Sequence, residues 1–276
     1  MKYSIIIPVY NRPEEVNELL QSLTKQTYRD MEVIIVEDGS TVTCESVVRN
    51  YAGKLQLRYY TKENNGPGMT RNFGAEHSQG DFLIILDSDC VLPAGFLQAI
   101  EDELMRKDCD AWGGPDRAHD GFSSVQKAIN YSMTSFLTTG GIRGGKKQMD
   151  KKFYPRSFNM GIRRSLYRQL DGFSSMRFGE DIDLSLRIYK SNANCRLFPD
   201  AWVWHKRRTD FKKFFRCRED MIKFLMEYGD GVEYELTTTT ESMLNNKGVL
   251  TPFNIKYTAA DNSLIVDGKK YQLSNE

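Results

Sequence analysis

Residues 82–89 read FLIILDSD, an apolar run of strand length that ends in two aspartates. Side chains two positions apart in an extended chain point to the same face, so the sequence predicts that Asp87 and Asp89 converge on one point. Hard divalent cations such as Mg²⁺ and Mn²⁺ prefer carboxylate oxygens and keep positions open for phosphate. Two acids after a strand also occur in solvated turns and helix caps, so this motif alone leaves both interpretations open.

The first half of the chain alternates short β-branched runs with amphipathic stretches, which is the pattern of βαβ units around a mostly parallel sheet. Strands are predicted at residues 3–9, 31–37, 56–60 and 82–86, and helices at 13–24, 68–78 and 93–107. Ligands of such open α/β sheets bind at the carboxyl ends of the strands. The sequence therefore predicts an α/β fold with its ligand site at the edge that carries Asp87 and Asp89.

The second half of the chain is less regular and ends in a segment of different character. Strands are predicted at 111–114, 158–163, 195–198 and 202–205, helices at 123–137, 181–190 and 211–228, and a Gly/Lys-rich loop at 140–152. After residue 231, short strands separated by Asn-Ser and Asp-Gly indicate a small β-hairpin appendage. We therefore expect one domain over residues 1–230, with halves at 1–112 and 113–230, and an appendage at 231–276.

Composition argues against several classes of partner. The 276 residues carry 38 Lys and Arg against 37 Asp and Glu, a formal net charge of +1, so no global field favours nucleic acid. Five cysteines without a CxxC pair argue against a disulfide framework or a zinc site and fit a reducing cytosol. No run of about 18 apolar residues occurs, so we expect a soluble or peripherally attached protein, and the cysteines favour the cytoplasm. The basic aromatic stretch at 211–218 leaves peripheral contact with the inner membrane face open.

Three further segments end at the same predicted sheet edge. Residues 4–12 read SIIIPVYNR, 33–40 read VIIVEDGS, and 64–72 read NNGPGMTRN. The Tyr10 ring can stack on a base or merely cover the sheet end. The Asp38 carboxylate can accept the imide N–H of a uracil or cap a turn. The Arg71 guanidinium can contact nucleotide phosphate or base.

Together the segments IIIPVYN, IVEDGS, GPGMTRN and ILDSD resemble the family 2 glycosyltransferases in order and spacing, over roughly residues 3–228. The resemblance implies a GT-A fold, a nucleoside diphosphate sugar donor with UDP as the expected nucleotide, and Mn²⁺ or Mg²⁺ as cofactor. The residues that it places at the nucleotide sugar are Pro8, Val9, Tyr10, Asn11, Asp38, Arg71, Asp87 and Ser88. Asp89 is the implied metal ligand.

Residues 157–164 and 178–184, which read SFNMGIRR and FGEDIDL, look like the acceptor half of the same family. Inverting sugar transfer needs a carboxylate that takes the acceptor's proton as its oxygen attacks the anomeric carbon. By resemblance that base is Asp181, with Glu180 orienting the acceptor. An acidic helix start of purely structural role is the alternative.

His205 ends the apolar run WVWH and precedes the basic residues 206–208. Similar enzymes often supply a third metal ligand from this point, although a lone histidine is more often structural. The basic run can instead contact the diphosphate. His77 and His119 are expected to serve local structure only.

The resulting hypothesis is inverting transfer of a hexose or N-acetylhexosamine from UDP to a saccharide or lipid-linked saccharide, in the synthesis of a cell-surface polysaccharide or glycolipid. The alternative is a non-catalytic module that binds a sugar nucleotide or glycan. A retaining enzyme would have the same donor site. A sugar-nucleotide pyrophosphorylase would need a Gly-rich phosphate loop after the first strand, and a Rossmann dehydrogenase a GxGxxG motif. Residues 8–11 read PVYN instead.

Overall fold

The computed structural model describes residues 2–117, 154–176 and 179–206, together with the backbone of four strands between 234 and 272. In the first three ranges the elements are β1 (Tyr3–Val9), α1 (Pro13–Leu23), β2 (Met31–Asp38), α2 (Glu45–Arg49), β3 (Leu57–Lys62), α3 (Pro67–Glu76), β4 (Phe82–Leu86), β5 (Cys90–Val91), α4 (Phe96–Arg106), β6 (Ala111–Gly113), β7 (Asp116–Arg117), β8 (Asn159–Arg163), α5 (Arg164–Gln169), α6 (Glu180–Lys190), β9 (Cys195–Leu197) and β10 (Val203–His205). His119, the predicted helices at 123–137 and 211–228, and the predicted loop at 140–152 lie outside the described residues.

Seven strands form the central sheet, in the order β3-β2-β1-β4-β8-β6-β9. Strand β1 pairs in parallel with β2 and β4, and β2 pairs in parallel with β3. Strand β8 runs antiparallel to β4 and β6, and β9 is parallel to β6. The mostly parallel α/β sheet predicted from the sequence is confirmed. Strands β1 and β4 have the predicted bounds, because each is a mainly apolar run followed by polar residues.

The central strands of the sheet are buried on both faces. Strands β2 and β4 are buried along their whole length, which explains the uninterrupted apolar run of β4 and the apolar centre of β2, VIIV. Ile5 and Ile7 face a core that includes helices α1 and α4, whereas Ile6 and Ile85 face a second core that includes Leu184 of α6. Alternate residues of one strand therefore hold helices on opposite sides of the sheet.

A second, three-stranded sheet carries His205. Strand β10 pairs antiparallel with β5 and parallel with β7. This pairing sets His205 opposite Cys90, the residue that follows Asp89. The sequence does not predict β5 or β7, since a strand of two residues is too short to show a period of two.

Four strands later in the chain form a separate antiparallel sheet. They are β11 (Tyr234–Leu244), β12 (Leu250–Thr258), β13 (Ser263–Val266) and β14 (Lys269–Gln272), each paired with the next. The segment expected to be a hairpin is thus a four-stranded meander. The chain divides into two compact units, Met1–His119 with Lys146–Lys206 and Asp120–Gly145 with Arg207–Glu276. The domain boundaries given above stay a prediction.

Among the helices of the described residues, none has both the length and the apolar character needed to cross a bilayer.

Gly161 of β8 lies against the indole of Trp112, and a Cβ atom at this position would overlap the ring. The ring has no room to move, because Trp112 is fully buried and stacks on Phe198 with ring centroids 5.1 Å apart. We expect Gly161→Ala to lower the free energy of unfolding by about 3 kcal/mol, as overpacked cores do. The control is Gly95→Ala, where a Cβ meets no atom within 4 Å. Denaturant midpoints measure both variants, and equal midpoints would show that this core repacks freely.

Candidate functional site

The carboxyl ends of β1, β2 and β4 meet at one edge of the central sheet, with β1 between the other two. Tyr10 and Asn11 follow β1, Asp38 ends β2, and Asp87 and Asp89 follow β4. The fold therefore brings together side chains that are far apart in sequence, at the edge where open α/β sheets bind their ligands.

Asp89 and His205 form the centre of a candidate metal site. The Nε2 atom of His205 lies 3.2 Å from Asp89 Oδ1 and 3.8 Å from Asp87 Oδ2. The backbone N–H of Lys206 donates to the Asp89 carbonyl at 3.0 Å and holds the two segments together. Neighbouring ligand atoms of a six-coordinate cation with bonds of about 2.1 Å lie roughly 3 Å apart. The Asp89 carboxylate and the imidazole therefore fit a shared hard cation, and Asp87 lies beside them.

The charges around His205 favour a cation at this position. Burial lowers the pKa of His205, but the neighbouring carboxylates, Asp89 first and then Asp116 and Asp87, raise it by more, to about 9. For Asp89 the signs are reversed. Burial raises the pKa of this carboxyl, but His205 and Arg12 lower it by more and hold it well below its usual range. The imidazole proton thus neutralises carboxylate charge that a bound cation would neutralise instead. His205 Nδ1 faces Asp116 Oδ2 at 3.9 Å, the kind of partner that orients metal-bound histidines.

Cys90 lies in the same cluster as Asp89 and His205. Its thiol is fully buried and donates to the Phe158 carbonyl at 3.4 Å, and burial raises its pKa well above the ordinary value. A thiol that stays protonated is a poor ligand for Mg²⁺ or Mn²⁺, which prefer oxygen donors. The Asp89 carboxylate and the His205 imidazole are therefore the better donors for such an ion.

Arg71 links the aspartate pair to the start of α6. Its guanidinium donates to Asp87 Oδ1 and to Glu180 Oε1, each at 2.9 Å, and its side chain is only 4% exposed. The centroid of the Phe173 ring lies 5.2 Å from the central guanidinium carbon of Arg71. Burial lowers the pKa of Arg71, and the two carboxylates more than offset this effect. Contact between Arg71 and nucleotide stays a prediction, and the structure adds that Arg71 positions both carboxylates.

Asp38 organises the loop that leads into α3. Its Oδ1 accepts hydrogen bonds from Lys62 Nζ at 2.6 Å and from the Asn65 N–H at 3.1 Å, and its Oδ2 accepts from the Gly66 N–H at 3.0 Å. Burial raises the pKa of Asp38, but the hydrogen bonds from Lys62 and Asn65 and the Lys62 charge lower it below its ordinary value. The sequence motifs miss Lys62. The register that pairs it with Asp38 between β2 and β3 is the signal that reveals it.

Replacing Lys62 with methionine should leave the Asp38 carboxylate buried without its cation. We expect affinity for UDP, the nucleotide that the motif resemblance implies, to fall about tenfold, because the loop at 62–66 loses a charged hydrogen bond that holds it in place. The matched control is Lys54→Met, which changes an exposed lysine before the other end of β3. Calorimetric titration of UDP measures both variants, and equal affinities would contradict an organising role for Lys62.

The remaining predicted nucleotide contacts differ in exposure. Those that are buried or half-buried are Pro8, Val9 and Ser88. Tyr10 is 52% exposed, so its ring is accessible for stacking on a base. Asn11 has a left-handed backbone, and its Oδ1 accepts hydrogen bonds from the N–H groups of Thr41 and Val42 at 2.8 and 2.9 Å. Asn11 therefore ties the loop after β1 to the loop after β2.

The two acidic residues that begin α6 have different surroundings. Burial raises the pKa of Glu180 and Arg71 opposes this, with a net upward shift. The Asp181 side chain is 23% exposed, and its Oδ2 lies 3.2 Å from Arg156 Nη1. Its Oδ1 accepts a hydrogen bond from the Ile182 N–H at 2.9 Å. Asp181 is therefore the more accessible carboxylate and Glu180 the more constrained one.

Asn72 is a second site-forming residue that the motifs do not assign. Its Oδ1 accepts hydrogen bonds from the Tyr167 hydroxyl at 2.5 Å and the Phe173 N–H at 2.8 Å, and its Nδ2 donates to the Phe173 carbonyl at 2.8 Å. One amide thus fastens the loop of Phe173 to helix α3. Phe173 in turn packs on Arg71, so Asn72 supports the link between the two sets of carboxylates.

The chain matches the model of a known protein family. Residues 4–171 match the family model described as glycosyl transferase family 2, which is more than half of the chain. The chain belongs to glycosyl transferase family 2. The family resemblance carried by the motifs is thereby confirmed.

Relatives of this family 2 chain include an N-acetylglucosaminyltransferase. Poly(ribitol-phosphate) beta-N-acetylglucosaminyltransferase TarS of Staphylococcus aureus (strain Mu50) is 40% identical over 93 residues, which are 32% of this chain and 16% of TarS. The crystal structure of S. aureus TarS 1–349 in complex with UDP-GlcNAc superposes with a TM-score of 0.59 at 25% identity, covering 75% of this chain and 59% of that one. The chain therefore spans only part of each TarS chain that it matches.

Mannosyltransferase PcManGT from Pyrobaculum calidifontis has the same fold. Its complex with GDP-Man and Mn²⁺ superposes with a TM-score of 0.60 at 22% identity, covering 82% of this chain and 63% of that one. These neighbours are GT-A glycosyltransferases, and the GT-A fold expected from the motifs is confirmed.

Proposed function

We propose that this family 2 chain is a metal-dependent, inverting glycosyltransferase that moves a hexose or N-acetylhexosamine from UDP to a saccharide hydroxyl. One observation carries the proposal. The buried Arg71 guanidinium joins Asp87, beside the candidate metal site, to Glu180, beside the accessible Asp181 carboxylate. Arg71 thus fixes the position of the donor site relative to the acceptor base. Single displacement needs both in place at once, because the acceptor oxygen attacks as the diphosphate leaves.

Several side chains at the sheet edge have roles in binding the donor. Tyr10 offers its exposed ring to the base, and Asp38 and Lys62 hold the loop beside it. Asp89 and His205, with Asp87 beside them, would hold Mn²⁺ or Mg²⁺. Such an ion, when bound, supplies positive charge to the diphosphate as it leaves.

The acceptor half of the proposal rests on Asp181. Its carboxylate accepts the proton of the acceptor hydroxyl while that oxygen bonds to the anomeric carbon. The bond from the anomeric carbon to the diphosphate oxygen breaks in the same step, and UDP departs with the bonding electrons. Attack from the side opposite the leaving group inverts the anomeric configuration. Glu180, held by Arg71, orients the acceptor.

The relatives support a first choice of donor and acceptor. The UDP-GlcNAc complex of TarS makes UDP-N-acetylglucosamine the first donor to test, and the Mn²⁺ complex of PcManGT makes Mn²⁺ the first metal. The name of TarS makes poly(ribitol-phosphate) an acceptor to include. Saccharides and lipid-linked saccharides of cell-surface polymers complete the acceptor set. We place the reaction in the cytoplasm or at the inner face of the membrane.

Turnover of sugar nucleotides tests the proposal. The full chain is incubated with Mn²⁺ and one of UDP-GlcNAc, UDP-glucose or UDP-galactose, with and without each acceptor, and released UDP is measured. NMR of the product's anomeric proton then gives the stereochemistry. Acceptor-dependent UDP release with an inverted product would support the proposal. Tight binding of UDP sugars without release over the whole acceptor set would favour a non-catalytic binding module.

A further inference from the structure

The Asp89 carboxylate already carries a side-chain cation. Arg12 Nη1 lies 2.5 Å from Asp89 Oδ2, while the other carboxylate oxygen faces His205. The Arg12 side chain is 45% exposed and that of Asp89 is 15% exposed. The guanidinium therefore reaches a mostly buried carboxylate from the solvent side.

The other cations near the site are placed differently. Arg71 is almost fully buried between two carboxylates, so it cannot leave without breaking both ion pairs. Lys206 Nζ pairs with Glu18 at 2.6 Å. Among the contacts of the described residues, Arg12 is the exposed cation that meets a candidate metal ligand directly.

We propose that Arg12 is a displaceable counterion of Asp89, which occupies the carboxylate in the metal-free protein and leaves it when a divalent cation binds. The inference rests on the proposed function, because it takes Asp89 as a metal ligand. Two cations on one carboxylate repel each other, so metal binding and the Arg12 contact compete. Arg12 thereby lowers the metal affinity of the protein before nucleotide arrives.

The Arg12–Asp89 ion pair must break before a metal ion binds Asp89, so the free energy of this ion pair is subtracted from that of metal binding. An ion pair with one partly exposed member is worth at most about a fivefold change in an equilibrium constant. Removing the Arg12 charge should therefore strengthen Mn²⁺ binding by about that factor. The main chain of Arg12 begins helix α1, since its carbonyl accepts the Val16 N–H at 3.1 Å, and a side-chain substitution leaves this bond in place.

Titration of Mn²⁺ into the full chain without nucleotide tests the competition, by calorimetry and by the electron paramagnetic resonance signal of free Mn²⁺. Arg12→Gln should bind Mn²⁺ about fivefold more tightly than the wild type. Arg12→Lys keeps the charge and should stay within about twofold of the wild type. Lys206→Gln removes one charge from the neighbourhood without touching an Asp89 side-chain contact and should also stay within about twofold.

Two outcomes would overturn the inference alone. They are unchanged or weaker Mn²⁺ binding by Arg12→Gln, and equal strengthening by Lys206→Gln, which would indicate a general charge effect. UDP titrations on the same preparations separate these outcomes from failure of the proposed function. Absence of Mn²⁺ binding by every variant, with UDP still bound, would overturn the metal assignment and the inference together.

Discussion

Asp181→Asn is expected to lower sugar transfer about a thousandfold while leaving UDP affinity unchanged, because a general base contributes about that factor to a reaction rate. Asparagine keeps the shape of the side chain and accepts the Ile182 N–H, but it cannot take a proton from the acceptor hydroxyl. Initial rates of UDP release with acceptor measure the effect, and calorimetry with UDP measures the donor site separately.

The control for Asp181 comes from the same helix. Asp183 also lies in the first turn of α6, and its carboxylate pairs with Arg187 at 2.6 Å. Asp183→Asn should transfer sugar at close to the wild-type rate. Near-normal transfer by Asp181→Asn would refute its assignment as the base, and loss of UDP binding in that variant would indicate a structural role instead.

Asp89→Ala is expected to abolish the increase in UDP affinity that Mn²⁺ produces and to lower transfer at least about a hundredfold. Changes to groups that merely orient a metal ligand cost about 10–100-fold, so loss of a ligand itself should cost no less. The variant also frees His205 from its nearest carboxylate partner. UDP titrations with and without Mn²⁺, and transfer rates at saturating Mn²⁺, measure both effects.

Asp102→Ala is the matched control for Asp89, because it removes an exposed carboxylate from helix α4. It should leave the Mn²⁺ effect on UDP binding unchanged. A thermal unfolding curve of Asp89→Ala shows whether the domain is still folded. Retention of the full Mn²⁺ effect in Asp89→Ala would exclude this residue as a ligand.

The sequence predicts the sheet well where burial imposes a clear pattern. Strands β1 and β4 follow from apolar runs of strand length, and the alternation of strands and helices gives the parallel order of the first half. The aspartates after β4 are placed at the ligand edge by the same reasoning. Local pattern therefore predicts which residues lie at the edge of the sheet.

Local sequence patterns do not predict contacts between segments that are far apart in the chain. Arg71 and Glu180 are 109 positions apart, and their hydrogen bond depends on how α3 packs beside the start of α6. His205 meets Asp89 through the pairing of β10 with the two-residue strand β5. The family resemblance predicted Asp181 and His205 as site residues, whereas no local pattern predicted Lys62 or Asn72.

The most direct test of a nucleotide-sugar donor site is calorimetric titration of UDP into the full wild-type chain, with and without Mn²⁺. We predict binding of one UDP per chain, strengthened by Mn²⁺, with GDP and ADP binding more weakly under the same conditions. No binding of UDP in the presence or absence of Mn²⁺ would contradict the assignment of a UDP donor site at this edge of the sheet.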